Sequence, residues 1–217
     1  VDAEWHFSTT SLSASWSGFE DTHSGIAWYE MGVGLSSCAT DVHAFVNVGA
    51  GSWGEISGLS LTSGVRYFVV VRAVDMAGNT VDGCTDGVVI DSSPPSIADI
   101  ILEGRVGSEG IGAVFVSSLP ELVVAWSGVA DDESGVKYFE VGVGTSACGN
   151  DDLMAYRDVG LVMTWKMSES GLLTSDEQLY VAVRAWNVGG GHRLMCLGPM
   201  TIDTSPPDRG VSVTTVN

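Results

Sequence analysis

Hydrophobic and polar residues alternate along most of this 217-residue chain, with the two-residue period of β-strands that bury one face. The longest examples are YFVVVRAVD at residues 67–75 and LYVAVRAWN at residues 179–187, both rich in β-branched and aromatic residues. Shorter stretches such as LSASW, HAFVNV and DGVVID are separated by clusters of Gly, Ser, Asn and Asp. Because no stretch has a convincing helical period, the pattern predicts an all-β protein built of antiparallel β-sandwiches.

The chain contains two copies of one module. Trp16 and Trp126 are 110 residues apart, and the same offset relates Cys38 to Cys148 and the GVG motif at residue 32 to that at residue 142. After small insertions the offset becomes 112, which relates the two VRA motifs and the segments IDSSPP and IDTSPP. So many matches in one order indicate an internal repeat.

Each copy ends in a Pro-Pro pair, which donates no backbone hydrogen bonds and stiffens the chain into a linker. These linkers predict a first module at residues 1–95, a second at 96–207, and the start of a third repeat at 208–217. Counted back by the repeat offset, the first copy lacks an equivalent of residues 96–110. We expect the chain to be part of a longer array of such modules.

A tryptophan late in the second predicted strand (Trp16, Trp126) is followed by L-x-x-G-x-x-Y, alternating valines and A-x-D/N-x-x-G, which span residues 61–78 in the first copy. The second copy matches this pattern at Leu173, Tyr180, Ala185, Asn187 and Gly190. The arrangement resembles the fibronectin type III module, and its Pro-Pro ending resembles a tandem subtype found in large extracellular proteins. The resemblance implies an immunoglobulin-like sandwich with Trp and Tyr in its core, and a role as a spacer, adhesin or surface filament.

The chain departs from the fibronectin pattern because it has no Arg-Gly-Asp sequence and because each copy carries two cysteines. The matched positions predict disulfides between Cys38 and Cys84 and between Cys148 and Cys196, while inter-module or interchain pairings remain open. Free or metal-bound thiols also remain open, although no C-x-x-C spacing is present. Such disulfides would favour an oxidising compartment, and we expect an extracellular or cell-surface location.

The formal net charge of -18 reflects a shortage of bases, since 27 residues are acidic and only 9 are Lys or Arg. Such a surface repels phosphate backbones and anionic lipids, so nucleic acid is not an expected partner. No stretch is long and apolar enough to insert in a bilayer, and no signal-peptide pattern is present at the start. The expected partners are neighbouring repeats, other copies in a filament, or surface ligands.

The most acidic segment is ADDESGV, which in the first copy reads EDTHSGI. The shared aspartates, Asp21 and Asp131, suit an Asx-turn before a Ser-Gly pair. Asp131, Asp132 and Glu133 are candidate calcium ligands in the second copy only. Because calcium takes six to eight oxygens, linker acids such as Asp91 or Asp203 would have to complete the site.

We expect no enzymatic activity, because neither a nucleophile motif nor a pair of positioned carboxylates is evident. The predicted function is a structural or adhesive repeat segment of a large extracellular protein. The alternative is a glycan- or protein-binding module, possibly an appendage of a secreted enzyme. An exposed aromatic among Trp5, Trp53 and Trp165 would favour sugar binding.

The Ser-Pro-Pro linkers motivate one further hypothesis. If the source is a plant or a green alga, hydroxylated prolines at Pro94, Pro95, Pro206 and Pro207 would carry O-glycans. An intact mass equal to that of the bare sequence would contradict this.

Overall fold

The computed structural model describes residues 3–103, 114–116, 122–167 and 178–203. Within these ranges every regular element is a β-strand, as the two-residue period predicts. The chain divides into two compact units. The first unit combines residues up to Pro95 with two loops of the second repeat, Asp131–Gly135 and Asn187–Gly191. The remaining described residues belong to the second unit.

The described strands of the first unit form two sheets. They are β1 (Trp5–His6), β2 (Ser11–Ser15), β3 (Ile26–Gly34), β4 (His43–Gly49), β5 (Trp53–Ser57), β6 (Arg66–Asp75), β7 (Thr80–Cys84) and β8 (Val88–Ile90). The larger sheet has the order β1-β8-β6-β3-β4, with β7 also paired to β6. The smaller sheet consists of β2 and β5. All pairs are antiparallel except β1 with β8, which is parallel.

The second unit repeats this plan with a third strand in the smaller sheet. Its strands are β9 (Asp99–Leu102), β10 (Val114–Val116), β11 (Val123–Ser127), β12 (Val136–Gly144), β13 (Met154–Gly160), β14 (Thr164–Lys166), β15 (Gln178–Asn187) and β16 (His192–Ile202). The larger sheet has the order β10-β16-β15-β12-β13, and the smaller has the order β14-β11-β9. The parallel pair is again the outermost one, here β10 with β16.

Each unit has its own hydrophobic core, supplied by alternate positions of the strands. In β6 the inward residues Tyr67, Val69 and Val71 are each 5% exposed or less. Trp126 is buried in the second core and packs edge-on against Phe139, with 5.4 Å between ring centres. The matched Trp16 packs against the first core. These aromatic residues therefore pack the cores, as the fibronectin type III resemblance implies.

The arginine of each VRA motif lies on the face of the larger sheet that points away from the core. The Arg72 guanidinium is 3.9 Å from the centre of the Phe45 ring and donates two hydrogen bonds to Asp82, of 2.7 and 2.9 Å. This contact lowers the pKa of the Asp82 carboxyl. In the second unit, the Arg184 guanidinium is 3.3 Å from the centre of the Tyr156 ring. The repeated arginine thus joins strands across the outer face through cation–π contacts.

Both predicted disulfides are present, joining Cys38 to Cys84 and Cys148 to Cys196. The first disulfide joins the loop after β3 to Cys84 at the end of β7, and the second joins the loop after β12 to Cys196 in β16. Val70 lies on the outer face between Gly32 and Cys84 and is fully buried. The outer face beside the disulfide is therefore covered like a second, smaller core.

The GVG motifs lie at the ends of β3 and β12, where the loop that follows each strand folds back over it. A Cβ atom added to Gly34 would collide with the backbone carbonyl of Ala39, and one added to Gly144 would collide with that of Asn150. The second glycine of each motif is therefore required by a close backbone approach rather than by a turn.

We expect the substitution Gly34→Ala to lower the free energy of unfolding by about 1–3 kcal/mol, because the obstacle is backbone that cannot rotate away. Gly51→Ala is the matched control, since the nearest atom to its added Cβ is 3.9 Å away. Thermal unfolding of the two variants measures the difference. Equal midpoints would show that the loop moves freely and would contradict this explanation of the motif.

Candidate functional site

The acidic loop of the second repeat is organised by Asp131. Its Oδ1 accepts hydrogen bonds from the backbone N–H groups of Ser134 at 2.9 Å and Gly135 at 2.8 Å. In the first repeat, Asp21 accepts the backbone N–H groups of His23, Ser24 and Gly25 in the same way. These bonds, chiefly the one from Ser24, lower the pKa of the Asp21 carboxyl. The turn predicted from the paired sequences is present in both repeats.

A second carboxylate, Asp91, lies beside this loop within the first unit and is completely buried. Its Oδ1 accepts hydrogen bonds of 3.1 Å from the backbone N–H and the hydroxyl of Ser93. Its Oδ2 accepts the hydroxyl of Ser134 and the side-chain amide of Asn187, the latter at 2.9 Å. A carboxylate has about four acceptor positions. Asp91 is therefore supplied with donors on both oxygens, as a buried charge requires.

Asn187, the last residue of β15, connects the two carboxylates. Its Nδ2 donates to Asp91 at 2.9 Å, to Asp131 at 3.2 Å and to the carbonyl oxygen of Ser93 at 2.8 Å. Its Oδ1 accepts the backbone N–H of Gly191 at 2.7 Å. The side chain is fully buried, and both ends of its amide are used. We name Asp91, Asp131, Ser134 and Asn187 the Asn187 cluster.

A metal could be held here by Asp91, Asp131 and Glu133, whose carboxylate oxygens lie within 4.8 Å of one another. The predicted ligand Asp132 is exposed and lies outside this group, and Asp203 is also exposed. With one oxygen from each residue, the three carboxylates supply half or fewer of the six to eight oxygens that calcium takes. The N–H groups of Asn187 face both carboxylates, so an ion at Asp91 and Asp131 would require this amide to turn and present its oxygen, or to move away. Calcium binding by Asp131, Asp132 and Glu133 stays a prediction from the sequence.

The first repeat has an aspartate, Asp75, at the position of Asn187. This side chain is 8% exposed and accepts the side-chain amide of Asn79 and the backbone N–H groups of Ala77 and Asn79. The amide of Asn79 is the main reason why the pKa of the Asp75 carboxyl is lowered. In both repeats this side chain accepts the backbone N–H four residues on, whereas its other end accepts a hydrogen bond in Asp75 and donates in Asn187.

The remaining predicted positions are dispersed. Pro94 is exposed whereas Pro95 is buried, and Pro206 and Pro207 lie outside the described residues. Trp53 is 58% exposed, while Trp5 and Trp165 are half-buried. The structure therefore leaves Pro94 accessible to modification and Trp53 accessible to a ligand.

Asn187 has no predicted role in the sequence beyond its place in the repeat pattern. One signal was available, because the two repeats differ there between an acid and its amide. The difference indicates a role only when the fold is known, because Asn187 meets Asp91 and Asp131 from 96 and 56 positions away in the chain.

We expect Asn187→Ala to lower the free energy of unfolding by at least about 1–3 kcal/mol, because it removes a donor from a buried charge. Asn187→Asp should cost more, since it adds a third carboxylate beside Asp91 and Asp131. Calorimetric unfolding in the presence of a chelator measures both losses. Asn47→Ala is the control, because Asn47 is exposed and only accepts the N–H of Gly49.

The same variants can also be unfolded in the presence of calcium. Recovery of stability by Asn187→Asp on addition of calcium would show that the cluster accepts a cation once the amide is removed. An Asn187→Ala midpoint equal to that of Asn47→Ala would contradict the role assigned to the cluster.

Comparison with known proteins gives similarity in structure rather than in sequence. Neither a protein-family model nor a curated protein matches the sequence. The fibronectin(III)-like modules of Clostridium thermocellum CbhA match with a TM-score of 0.51 at 12% identity, over 93% of this chain and 89% of that one. The FN1–FN3 domains of chicken CNTN1 match with a TM-score of 0.52 at 14% identity, over 90% of this chain and 64% of that one. This chain therefore spans less than two thirds of the chicken chain, and identities this low show the fold alone. The chain has the fibronectin type III-like fold of tandem modules.

Proposed function

We propose that this chain is a non-catalytic repeat segment of a large extracellular or cell-surface protein, with a structural or adhesive role. Its expected partners are neighbouring repeats, other copies and surface ligands rather than nucleic acid. The observation that carries the proposal is the pair of disulfides at matched positions, Cys38–Cys84 and Cys148–Cys196. Disulfides persist in oxidising compartments, and their repetition makes them part of the module plan.

The disulfides also support a mechanical role. They close loops of 46 and 48 residues, and each closure stabilises its module by roughly 3–4 kcal/mol on the chain-entropy model. The bonded segment cannot extend beyond the cross-link when the module is pulled. A module of this kind is suited to bear load in a chain of similar modules.

The chemistry of the Asn187 cluster supports a non-catalytic role. Asp91 is buried and has donors on both oxygens. Among the described residues, the hydroxyl groups of Ser93 and Ser134 donate to it. General acid–base catalysis needs a carboxylate that can reach a substrate in a cleft. These groups hold a loop in place instead.

Within the described ranges, the structure contains no helix long and apolar enough to cross a membrane. The proposed surface location rests on the disulfides and on the fibronectin type III resemblance.

Location on intact cells tests the proposal. Antibodies against this chain should label living, unpermeabilised cells of the organism that makes it, and protease treatment of those cells should remove the label. The native protein should also resist alkylation at its four cysteines until it is reduced. Labelling that appears only after permeabilisation, together with freely alkylated cysteines, would contradict the proposal.

Glycan binding is a second candidate function, favoured by the exposure of Trp53. An indole face is a common surface for stacking against a sugar ring. Trp53 is exposed and is the first residue of β5, one of the two strands of the smaller sheet. Trp53→Ala should abolish any glycan-array signal, whereas Trp28→Ala should retain it because the Trp28 indole already donates to Glu30. A signal that survives Trp53→Ala would exclude this residue as the platform.

A further inference from the structure

Trp53 and Trp165 are separated by the repeat offset of 112 but lie on opposite faces of their strands. In the second unit, Trp165 is opposite the buried Val124 of β11 and packs against the core. The residue of the first unit that corresponds to Val124 is Ala14. The partner of Ala14 is Gly54 rather than Trp53. Because successive side chains of a strand alternate between its faces, Trp53 points away from the core.

The core of the first unit has no room for a side chain at Gly54. A Cβ atom added there would lie 2.6 Å from the sulfur of Met31, 3.0 Å from Val48 and 3.1 Å from the ring of Trp16. These three side chains belong to the first core or pack against it. Trp53 is not part of this core, and it is 58% exposed. Packing of the module therefore does not explain the presence of Trp53.

The neighbours of Trp53 on the outer face of the smaller sheet are polar. Glu55 is two residues further along β5, so it lies on the same side of the strand at about 7 Å. Ser15 of β2 is directly opposite Trp53, and Ser13 is opposite Glu55. All four residues are exposed. We name Trp53, Glu55, Ser13 and Ser15 the Trp53 face.

The same Trp-x-Glu spacing occurs in β3, where the two side chains bond to each other. The indole N–H of Trp28 donates to the carboxylate of Glu30 at 3.3 Å. On the Trp53 face, no described residue accepts the indole N–H of Trp53 or donates to the carboxylate of Glu55. An uncovered ring thus stands beside a donor and an acceptor that are both open to a ligand.

A sugar ring matches this combination of groups. The C–H groups on one face of a pyranose can stack on an indole, while the hydroxyls at its edge form hydrogen bonds. The carboxylate of Glu55 has two oxygens with about four acceptor positions, so it can accept hydroxyls from neighbouring ring carbons. The hydroxyls of Ser13 and Ser15 can both donate and accept.

The charge of the first unit indicates which kind of sugar fits. Its basic side chains are Arg66 and Arg72, and both belong to β6 of the larger sheet. Arg66 donates to the carbonyl oxygen of Gly87, and Arg72 donates to the carboxylate of Asp82. A sulfated or uronic-acid glycan would therefore meet the negative charge of Glu55 without a cation to offset it.

We propose that the Trp53 face binds one ring of a neutral glycan. The ring stacks on the indole of Trp53, and two of its hydroxyls donate to the carboxylate of Glu55. The hydroxyls of Ser13 and Ser15 bond to the same edge of the sugar. The inference rests on glycan binding, the second candidate function, and adds the class of glycan and the residues that orient it.

Calorimetric titration of the full chain with neutral hexasaccharides of β-linked glucose and β-linked galactose tests the proposal. At least one should bind, and its affinity should be equal in about 50 mM and about 500 mM sodium chloride, because a neutral ligand is not held by charge. Trp53→Ala should weaken binding about tenfold or more through loss of the stacking surface. Glu55→Ala should weaken it about fivefold through loss of the acceptor.

Trp28→Ala and Glu30→Ala are the matched controls, since they change the Trp-x-Glu pair that is bonded to itself, and both should bind like the unchanged chain. Equal losses in the two tryptophan variants would contradict the proposal. Binding only of a cationic glucosamine hexasaccharide, lost at the higher salt concentration, would overturn the neutral class. Neutral-glycan binding that survives Trp53→Ala would remove this face but leave glycan binding by the chain. Absence of all glycan binding would remove both and leave the structural role standing.

Discussion

The pairing of one long central strand with its neighbours is the constraint on which each unit depends. In the first unit, β6 is hydrogen-bonded to β3, β7 and β8, and it buries Tyr67, Val69 and Val71 on its inner face. Because successive side chains of a strand point to opposite sides, the same strand must also provide an outer surface. Val70 and Arg72 form that surface. Val70 is buried on this outer face and Arg72 is partly buried, so the strand packs side chains on both sides.

The outer face explains why the module carries a disulfide and a GVG motif together. The disulfide holds the loop after β3 against the sheet, and the glycines allow the loop backbone to approach closely. Each feature depends on the other. A Cβ atom in place of the second glycine would push the loop away from the sheet. A loop without the disulfide would lose more conformational entropy when it folds against the sheet. The second unit repeats both features with different residues in the loop, so the constraint is geometric rather than chemical.

The buried carboxylate of Asp91 is satisfied by hydrogen bonds from its immediate neighbours in the fold. Asp91 is completely buried and accepts hydrogen bonds from Ser93, Ser134 and Asn187. The amide of Asn187 also donates to Asp131. Such a network is specific, since loss of one donor leaves a charge unpaired. It also changes the meaning of the acidic segment of the second repeat. Asp131 is an architectural residue, Glu133 lies near the cluster, and Asp132 remains at the surface.

Local patterns in the chain were sufficient to predict the fold class, the repeat, both disulfide pairings and the Asx-turns at Asp21 and Asp131. All of these come from short-range periodicity or from comparison of two copies, and such signals need no knowledge of distant contacts. Two other features became visible only in the folded chain: Asn187 meets Asp91 and Asp131, and the second glycine of each GVG motif faces a returning loop. The first depends on residues 96 and 56 positions apart becoming neighbours, and the second depends on the path that the loop backbone takes. Neither is encoded in the local order of hydrophobic and polar positions.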